Sequence, residues 1–133
     1  MNEYVVDASA ALGALGREDA VGIALRQRIG NAICHAPHLI DAEVGHVLRR
    51  GERLREISAD TALTALRALA GLIDHRYPHA GQLADRAWHT RHNITFYDGL
   101  YVALATVLNL TLLTADARLS KAPGLTCSIE LIS

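Results

Sequence analysis

The sequence predicts an α/β fold built around a mainly parallel sheet. Short apolar, β-branched segments of strand length alternate with longer segments whose apolar residues recur at helical spacing. This alternation favours parallel pairing, because each strand then returns to the sheet through a helix. The chain has 133 residues, 50% hydrophobic and 20% charged, which is typical of a folded protein with a substantial core. We therefore expect a single domain over residues 1–133.

The elements can be assigned in order from periodicity and from turn residues. Strands are expected at residues 4–6, 32–36, 73–77, 111–114 and 125–132. Helices are expected at residues 8–15, 19–29, 39–50, 59–73, 82–91 and from residue 96 onward, with a helical turn at 117–120. Pro37 marks the end of the second strand, Ser58 is a helix N-cap, and Pro123-Gly124 breaks the chain before the last strand.

The helix that begins near Phe96 is apolar on nearly all sides, which predicts that it is buried. Asp98 lies in its first turn, where free N–H groups and the helix dipole favour a carboxylate. For an acid standing alone, a capping role is the simpler interpretation.

Three other acids occupy comparably apolar settings. Asp7 and Asp116 each follow a strand-like run, and Glu43 lies among apolar neighbours on the third helix. Asp41 points elsewhere on that helix, where it can complement the positive N-terminus. Because lone carboxylates are rarely buried without a partner or a metal, we expect Asp7, Glu43, Asp98 and Asp116 to share one acidic site at the carboxyl ends of the strands.

Such a site predicts metal-assisted chemistry. Carboxylates placed close together repel one another, and a divalent cation resolves the repulsion. Oxygen ligands without an accompanying His or Cys cluster favour Mg²⁺ or Mn²⁺ over Zn²⁺. Phosphodiester hydrolysis by one ion or two fits this donor set, as does a carboxylate that acts as general base.

Other features leave their alternatives open. The net charge of −1 gives no overall basic field, although a local patch can still contact nucleic acid. Arg49, Arg50 and Arg53 form a basic cluster that is either a solvated helix end or a phosphate-contacting patch. Tyr97 and Tyr101 flank Asp98 and either stack on a base or pack in the core. His89 and His92, three residues apart, fit surface positions better than a metal site.

Cysteine usage and hydropathy bear on the compartment. Cys34 and Cys127 have no CxxC spacing, which argues against a disulfide framework or structural zinc and favours a reducing environment. We find no leader-like segment and no apolar run of membrane-spanning length. A soluble, cytoplasmic protein is expected.

Four segments in order resemble the PIN-domain family, and within it the VapC-type toxins of bacterial toxin–antitoxin pairs. They are Val5-Val6-Asp7-Ala8-Ser9-Ala10, Asp41-Ala42-Glu43-Val44, Tyr97-Asp98-Gly99-Leu100-Tyr101-Val102-Ala103-Leu104-Ala105 and Leu113-Thr114-Ala115-Asp116-Ala117-Arg118-Leu119. The resemblance spans nearly the whole chain. It implies a three-layer α/β/α fold, and it departs at Gly99, where alanine is commoner in the family.

The resemblance also implies a Mg²⁺- or Mn²⁺-dependent endoribonuclease that cuts tRNA or ribosomal RNA and so stops translation. Asp7, Glu43, Asp98 and Asp116 match the acidic quartet of the family. Ser9 and Thr114 fall where the family often keeps a supporting hydroxyl, and the residues alone allow Ser9 to cap the first helix as well. A homodimer and a small VapB-like antitoxin are the implied partners.

Two other functions compete with this one. A catalytically inactive module would use the same fold for protein contact, with its acids serving as caps and ion-pair partners. A DNA-directed nuclease would use the same acidic site, because a metal–carboxylate centre does not itself read the 2′-OH.

Overall fold

A computed structural model describes residues 1–132 of the chain. Its strands are β1 (Asn2–Val6), β2 (Ala32–Pro37), β3 (His75–Tyr77), β4 (Thr111–Thr114) and β5 (Ile129–Leu131). Its helices are α1 (Ala8–Gly16), α2 (Ala20–Gly30), α3 (Leu39–Arg53), α4 (Ala59–Leu72), α5 (Gln82–His89), α6 (Phe96–Leu108) and α7 (Ala117–Ser120). The elements occur in the predicted order, which confirms the α/β class.

The strands form one parallel sheet in the order β3-β2-β1-β4-β5. Val5 at the centre of β1 lies opposite His35 of β2 and Leu112 of β4. The chain builds the sheet outward from β1 to β3 and then returns to the other side of β1 with β4 and β5. The order therefore reverses between β1 and β4, and in parallel α/β sheets such a reversal opens a crevice at the carboxyl ends of the strands.

Helices cover both faces of the sheet. The first four helices contact one another around α1, with α2 and α3 against β2, whereas α5 packs on α6 and α6 lies against β1, β2 and β4. Right-handed crossovers on this strand order place α1–α4 on one face and α5–α7 on the other. The result is the expected three-layer α/β/α arrangement.

The central helix α6 is buried along one continuous stretch, from Gly99 to Ala105. This confirms the prediction from its apolar sequence. At Gly99 the neighbouring helix α5 comes so close that an added Cβ would lie 3.1 Å from Cβ of Ala87 and 3.2 Å from Oγ1 of Thr90. Glycine at this position therefore sets how closely the two helices pack.

The structure corrects several predicted details. The last strand occupies only Ile129–Leu131, α5 ends at His89, and α3 continues to Arg53. Leu63 and Leu66, which share the apolar side of α4 with buried Leu69, are exposed. The main contacts of α4 are with α1 and α3, and these leave part of its apolar side uncovered.

Over residues 1–132, no helix is both long and apolar enough to span a bilayer. Cys34 and Cys127 are free thiols.

Candidate active site

Asp7 ends β1 and is the N-cap of α1, at the point where the strand order reverses. Its side chain is only 4% exposed. One carboxylate oxygen accepts hydrogen bonds from Oγ of Ser9 at 2.6 Å and from the backbone N–H of Ala10 at 2.9 Å. The other oxygen accepts from Oγ1 of Thr114 at 2.5 Å. Three donors thus fix the orientation of this carboxylate.

Ser9 and Thr114 join the two central strands through Asp7. Their hydroxyl oxygens lie 3.2 Å apart, and the proton of each is directed to Asp7. The oxygens then serve as acceptors, because Ser9 receives the N–H of Ala115 and Thr114 receives the N–H of Asp116, both at 3.0 Å. The two hydroxyls therefore also position the backbone that carries Asp116.

Glu43 reaches the site from the first half of α3. Its Oε1 accepts a hydrogen bond from the hydroxyl of Tyr101 at 2.6 Å, and the Tyr101 side chain is buried in α6. This bond connects helices from the two opposite layers above the carboxyl edge of the sheet. Local sequence patterns do not predict this bond, because the partners are 58 residues apart.

Asp98 lies in the first turn of α6. Thr95 is the N-cap of that helix, and its Oγ1 accepts the backbone N–H of Asp98 at 3.1 Å. The capping role considered for Asp98 thus belongs to Thr95, which leaves the Asp98 carboxylate facing the neighbouring acids.

Asp116 is the N-cap of α7 and is held by Arg118. Its Oδ1 accepts the backbone N–H of Arg118 at 2.9 Å, and the Arg118 guanidinium lies 3.4 Å from both carboxylate oxygens. Burial acts to raise the pKa of Asp116, but the side-chain and backbone bonds from Arg118 outweigh it and hold the pKa below its usual value.

The other three acids show the opposite shift. Burial raises the pKa of Asp7, Glu43 and Asp98, against the lowering effect of their hydroxyl donors. The negative charge of Asp98 adds to the increase at Asp7 and at Glu43, and Asp116 adds to it at Asp98. Asp98 therefore lies within electrostatic reach of each of the other three carboxylates. Over residues 1–132, Asp7, Glu43 and Asp98 form no ion pair with a basic side chain.

The donor set suits a hard cation, because it consists of carboxylate oxygens. Within residues 1–132, only Asp116 of the four acids is paired with a basic side chain. In the described part of the chain, however, no three acidic, His or Cys side chains are already arranged to hold an ion.

A cleft of about 390 Å³ opens beside Asp98 and Asp116. The cleft is also lined by residues that were not predicted to belong to the site, among them Arg91, Asn93 and Arg118. His92, predicted to be a surface residue, is exposed and also lines it. The sequence signal for Arg91 was its position three residues after Trp88, because this spacing places the two side chains next to each other at the end of a helix.

The remaining candidates are distributed over the surface and the core. Arg49, Arg50 and Arg53 are exposed along the second half of α3 and do not line the cleft. Tyr101 is a core residue, whereas Tyr97 is exposed. Asp41 lies in the first turn of α3, as predicted, and in addition receives a forked pair of hydrogen bonds from Arg76 at 2.7 and 3.0 Å.

Comparison with known proteins identifies relatives over the full length. The sequence model of the PIN domain matches residues 4–125. Ribonuclease VapC1 of Mycobacterium tuberculosis (strain ATCC 25618 / H37Rv) is 54% identical over 132 residues, which is 99% of either chain. Ribonuclease VapC9 of the same strain is 41% identical over 128 residues, covering 96% of this chain and 97% of the relative. A chain in the crystal structure of VapBC2 from Rickettsia felis, bound to a promoter DNA fragment, superposes with a TM-score of 0.72 at 13% identity, covering 98% of this chain and 99% of that one.

Proposed function

The chain belongs to the PIN-domain family, and on this premise we propose that it is a divalent-metal-dependent endoribonuclease. It would act as the toxin of a toxin–antitoxin pair and inhibit translation by cleaving tRNA or rRNA. The names of the relatives, which are ribonucleases of the VapC type, support the activity. The observation that carries the proposal is the set of three acids with raised pKa and no basic partner, located where the strand order reverses.

Asp7, Glu43, Asp98 and Asp116 would hold Mg²⁺ or Mn²⁺ there. The bound ion would supply Lewis-acid chemistry by polarising the phosphate and lowering the pKa of the attacking water. A bound cation would favour the ionised form of Asp7, Glu43 and Asp98, whose pKa values are raised mainly by burial.

The chain itself would contribute orientation. Ser9 and Thr114 hold both oxygens of Asp7 through hydrogen bonds, which keeps that carboxylate in one rotamer without a reorganisation step. Tyr101 does the same for one oxygen of Glu43 and leaves the other oxygen free for a ligand. Arg49, Arg50 and Arg53 are proposed to contact phosphate along α3, and a lower salt dependence of RNA binding in an R49A/R50A variant would support this.

The experiment is cleavage of total RNA from the native host by the purified protein in Mg²⁺ or Mn²⁺. Discrete cuts that vanish in EDTA and in Asp98→Asn would establish the metal-dependent ribonuclease. The absence of cuts, with antitoxin shown to be absent from the preparation, would instead favour the contact module. Cleavage of DNA but not RNA under the same conditions would indicate the DNA-directed nuclease.

A VapB-like antitoxin and a homodimer are the proposed assemblies. The solved neighbour from R. felis is a VapBC complex. Exposed Val47, Leu63 and Leu66 of α3 and α4 offer apolar surface of the kind that an amphipathic partner segment covers. Light scattering of the protein alone, and after co-expression with a VapB-like protein, would give the stoichiometry of each assembly. Its RNA targets would place the protein in the cytoplasm.

A further inference from the structure

The exposed aromatic side chains of this protein gather in one segment. The chain has six aromatic residues among Tyr, Phe and Trp. Trp88, Phe96 and Tyr97 are 58%, 39% and 58% exposed, whereas the other three are buried or half-buried. Burial of large apolar side chains is favourable, so three exposed aromatic rings within ten residues indicate a binding surface. This segment is the connection from α5 into α6, directly before Asp98.

Arg91 is held against Trp88. Its guanidinium carbon lies 4.6 Å from the centre of the indole ring, and Nη1 donates to the backbone carbonyl of Trp88 at 2.8 Å. A guanidinium has five N–H donors, so most of them remain available. Arg91 also lines the cleft that contains Asp98 and Asp116. The Arg91 guanidinium, which Trp88 holds in position, thus lines the same cleft as the proposed catalytic acids.

The cleft is lined by both acidic and basic side chains. Asp98 and Asp116 contribute carboxylates to the lining, whereas Arg91 and Arg118 contribute guanidinium groups and His92 an imidazole. Arg118 is 92% exposed, and its side-chain contacts to Asp116 are long at 3.4 Å, so it can exchange this carboxylate for a phosphate at little cost. The volume of about 390 Å³ falls in the range of small-ligand sites, about 300–1,000 Å³.

We propose that this cleft is a subsite for one nucleotide of single-stranded RNA next to the scissile phosphate. Arg91, and Arg118 after release from Asp116, bind the phosphate, and the base stacks on the surface formed by Trp88 and Arg91. This inference rests on the proposed ribonuclease function. It adds the residues that would select an unpaired nucleotide. Stacking requires an exposed base face, which a duplex does not offer.

Charge and aromaticity favour RNA over a peptide in this cleft. A nucleotide uses both features at once, since its phosphate pairs with guanidinium and its base stacks on indole. Few apolar side chains line the cleft, mainly Ile94 and Leu119, so it offers little to the apolar face of an antitoxin segment. The exposed apolar residues of α3 and α4 suit that role better.

Trp88 is the one tryptophan in the chain and contacts Arg91, which lines the cleft, so its fluorescence reports on ligands that bind beside Arg91. The test titrates Asp98→Asn protein in EDTA with a short single-stranded RNA, conditions in which no cleavage occurs and the repulsion from Asp98 is removed. We expect saturable quenching of the tryptophan, and weaker or absent quenching with the same RNA annealed into a duplex.

Three variants in the same background assign the residues. Arg91→Ala is expected to weaken binding at least fivefold and to reduce the salt slope by about one. Trp88→Ala, followed by fluorescence anisotropy of labelled RNA, is expected to weaken binding by about fivefold or more. Arg67→Ala removes the same charge from an exposed position on α4 and should bind like its parent.

Equal RNA affinity of the Arg91 and Trp88 variants and their parent would overturn the subsite, as would the absence of tryptophan quenching. Loss of antitoxin binding without loss of RNA binding would also overturn it and assign the cleft to the protein partner. Because binding is measured without metal, the two proposals can fail separately. RNA binding through Arg91 with no cleavage by the wild type would contradict the ribonuclease function alone. A circular dichroism melt of each variant verifies its fold.

Discussion

Asp41 and Glu43 lie two residues apart on α3 and have opposite surroundings. Asp41 receives a forked pair of hydrogen bonds from Arg76, which also donates to the carbonyls of Leu69 and Ile73. Glu43 receives a single bond from the Tyr101 hydroxyl and faces the charges of Asp7 and Asp98. One acid therefore links α3 to β3 and the end of α4, and the other is left with negative charge that the protein does not neutralise.

The same division holds for other acids of the molecule. Hydrogen bonding to Arg28 lowers the pKa of Glu130. Bonds from the N–H of Gly22 and from Arg17 lower the pKa of Asp19. Burial raises the pKa of Asp7, Glu43 and Asp98 instead. The direction of the pKa shift thus separates Asp7, Glu43 and Asp98 from the acids that are paired with arginine, among which Asp116 also belongs. Acids whose pKa is raised by burial concentrate at functional sites.

Substitution of Asp98 and Asp41 should give the largest contrast. Asp98→Asn removes a proposed metal ligand, so we expect RNA cleavage to fall by about 100-fold or more. Asp41→Asn breaks the pair with Arg76 and should cost about 1 kcal/mol of stability while cleavage stays within about twofold of wild type at a temperature where both are folded. Initial cleavage rates and urea unfolding measure the two effects. Equal losses of activity would abolish the distinction between the two acids.

Removal of the Thr114 hydroxyl tests how much stability comes from the hydrogen bond that joins β4 to Asp7 at the end of β1. Thr114→Val keeps the buried volume but deletes the donor to Asp7 and leaves the N–H of Asp116 without its acceptor. We expect a loss of about 3 kcal/mol in the free energy of unfolding. Thr111→Val, in the same strand, is the matched control and should change it by less than about 0.5 kcal/mol. Similar losses in both variants would show that the hydroxyl of Thr114 plays no special part.

The pH dependence of stability should differ between wild type and Asp98→Asn in EDTA. Because the pKa of Asp98 is raised in the folded state, the folded protein binds the proton more tightly than the unfolded chain. The resulting destabilisation is absent below the ordinary pKa of 3.8 and grows as the pH rises through the folded pKa. Asp98→Asn should therefore gain stability over wild type at pH 7 but not at acidic pH. Thermal melts at several pH values test this, and a difference independent of pH would contradict it.

Addition of Mg²⁺ at pH 7 should make wild type more stable than Asp98→Asn. A ligand that binds only the folded state raises the melting temperature, so wild type should gain more than Asp98→Asn. This measurement reports on metal binding without any cleavage.

The smallest effect is expected at Tyr101. The hydroxyl of Tyr101 lowers the pKa of Glu43 against burial, so Tyr101→Phe should raise that pKa further. The acidic limb of the pH–rate profile should move upward by a fraction of a pH unit, with little change in the rate at high pH. An unshifted limb would mean that Glu43 does not titrate in the active range.

Much of the site could be predicted from sequence because burial leaves a local signature. Asp7 and Asp116 follow apolar strands, and Asp98 begins an apolar helix, so their positions relative to the sheet follow from periodicity. The parallel pairing of the strands and the burial of α6 agree with that reasoning. Whether the four acids act together remains a prediction.

Pairings between distant elements could not be predicted. The bond from Tyr101 to Glu43, the pair of Arg76 with Asp41, and the position of Arg91 beside the acids all depend on how helices of different layers meet. Periodicity also identifies an apolar face without showing what covers it. Leu63 and Leu66, for example, lie on the apolar side of α4 and are exposed.

Because α1–α4 cover one face of the sheet and α5–α7 the other, the proposed partner surface and the cleft can evolve independently in a protein with this fold. Mutations on the outer side of α3 and α4 would remodel the proposed partner surface, while the cleft between α7 and the α5–α6 connection stays as it was. Mutations around Arg91 would do the reverse. Related toxins could in this way acquire new RNA targets while retaining their inhibitors, or exchange inhibitors while retaining their targets.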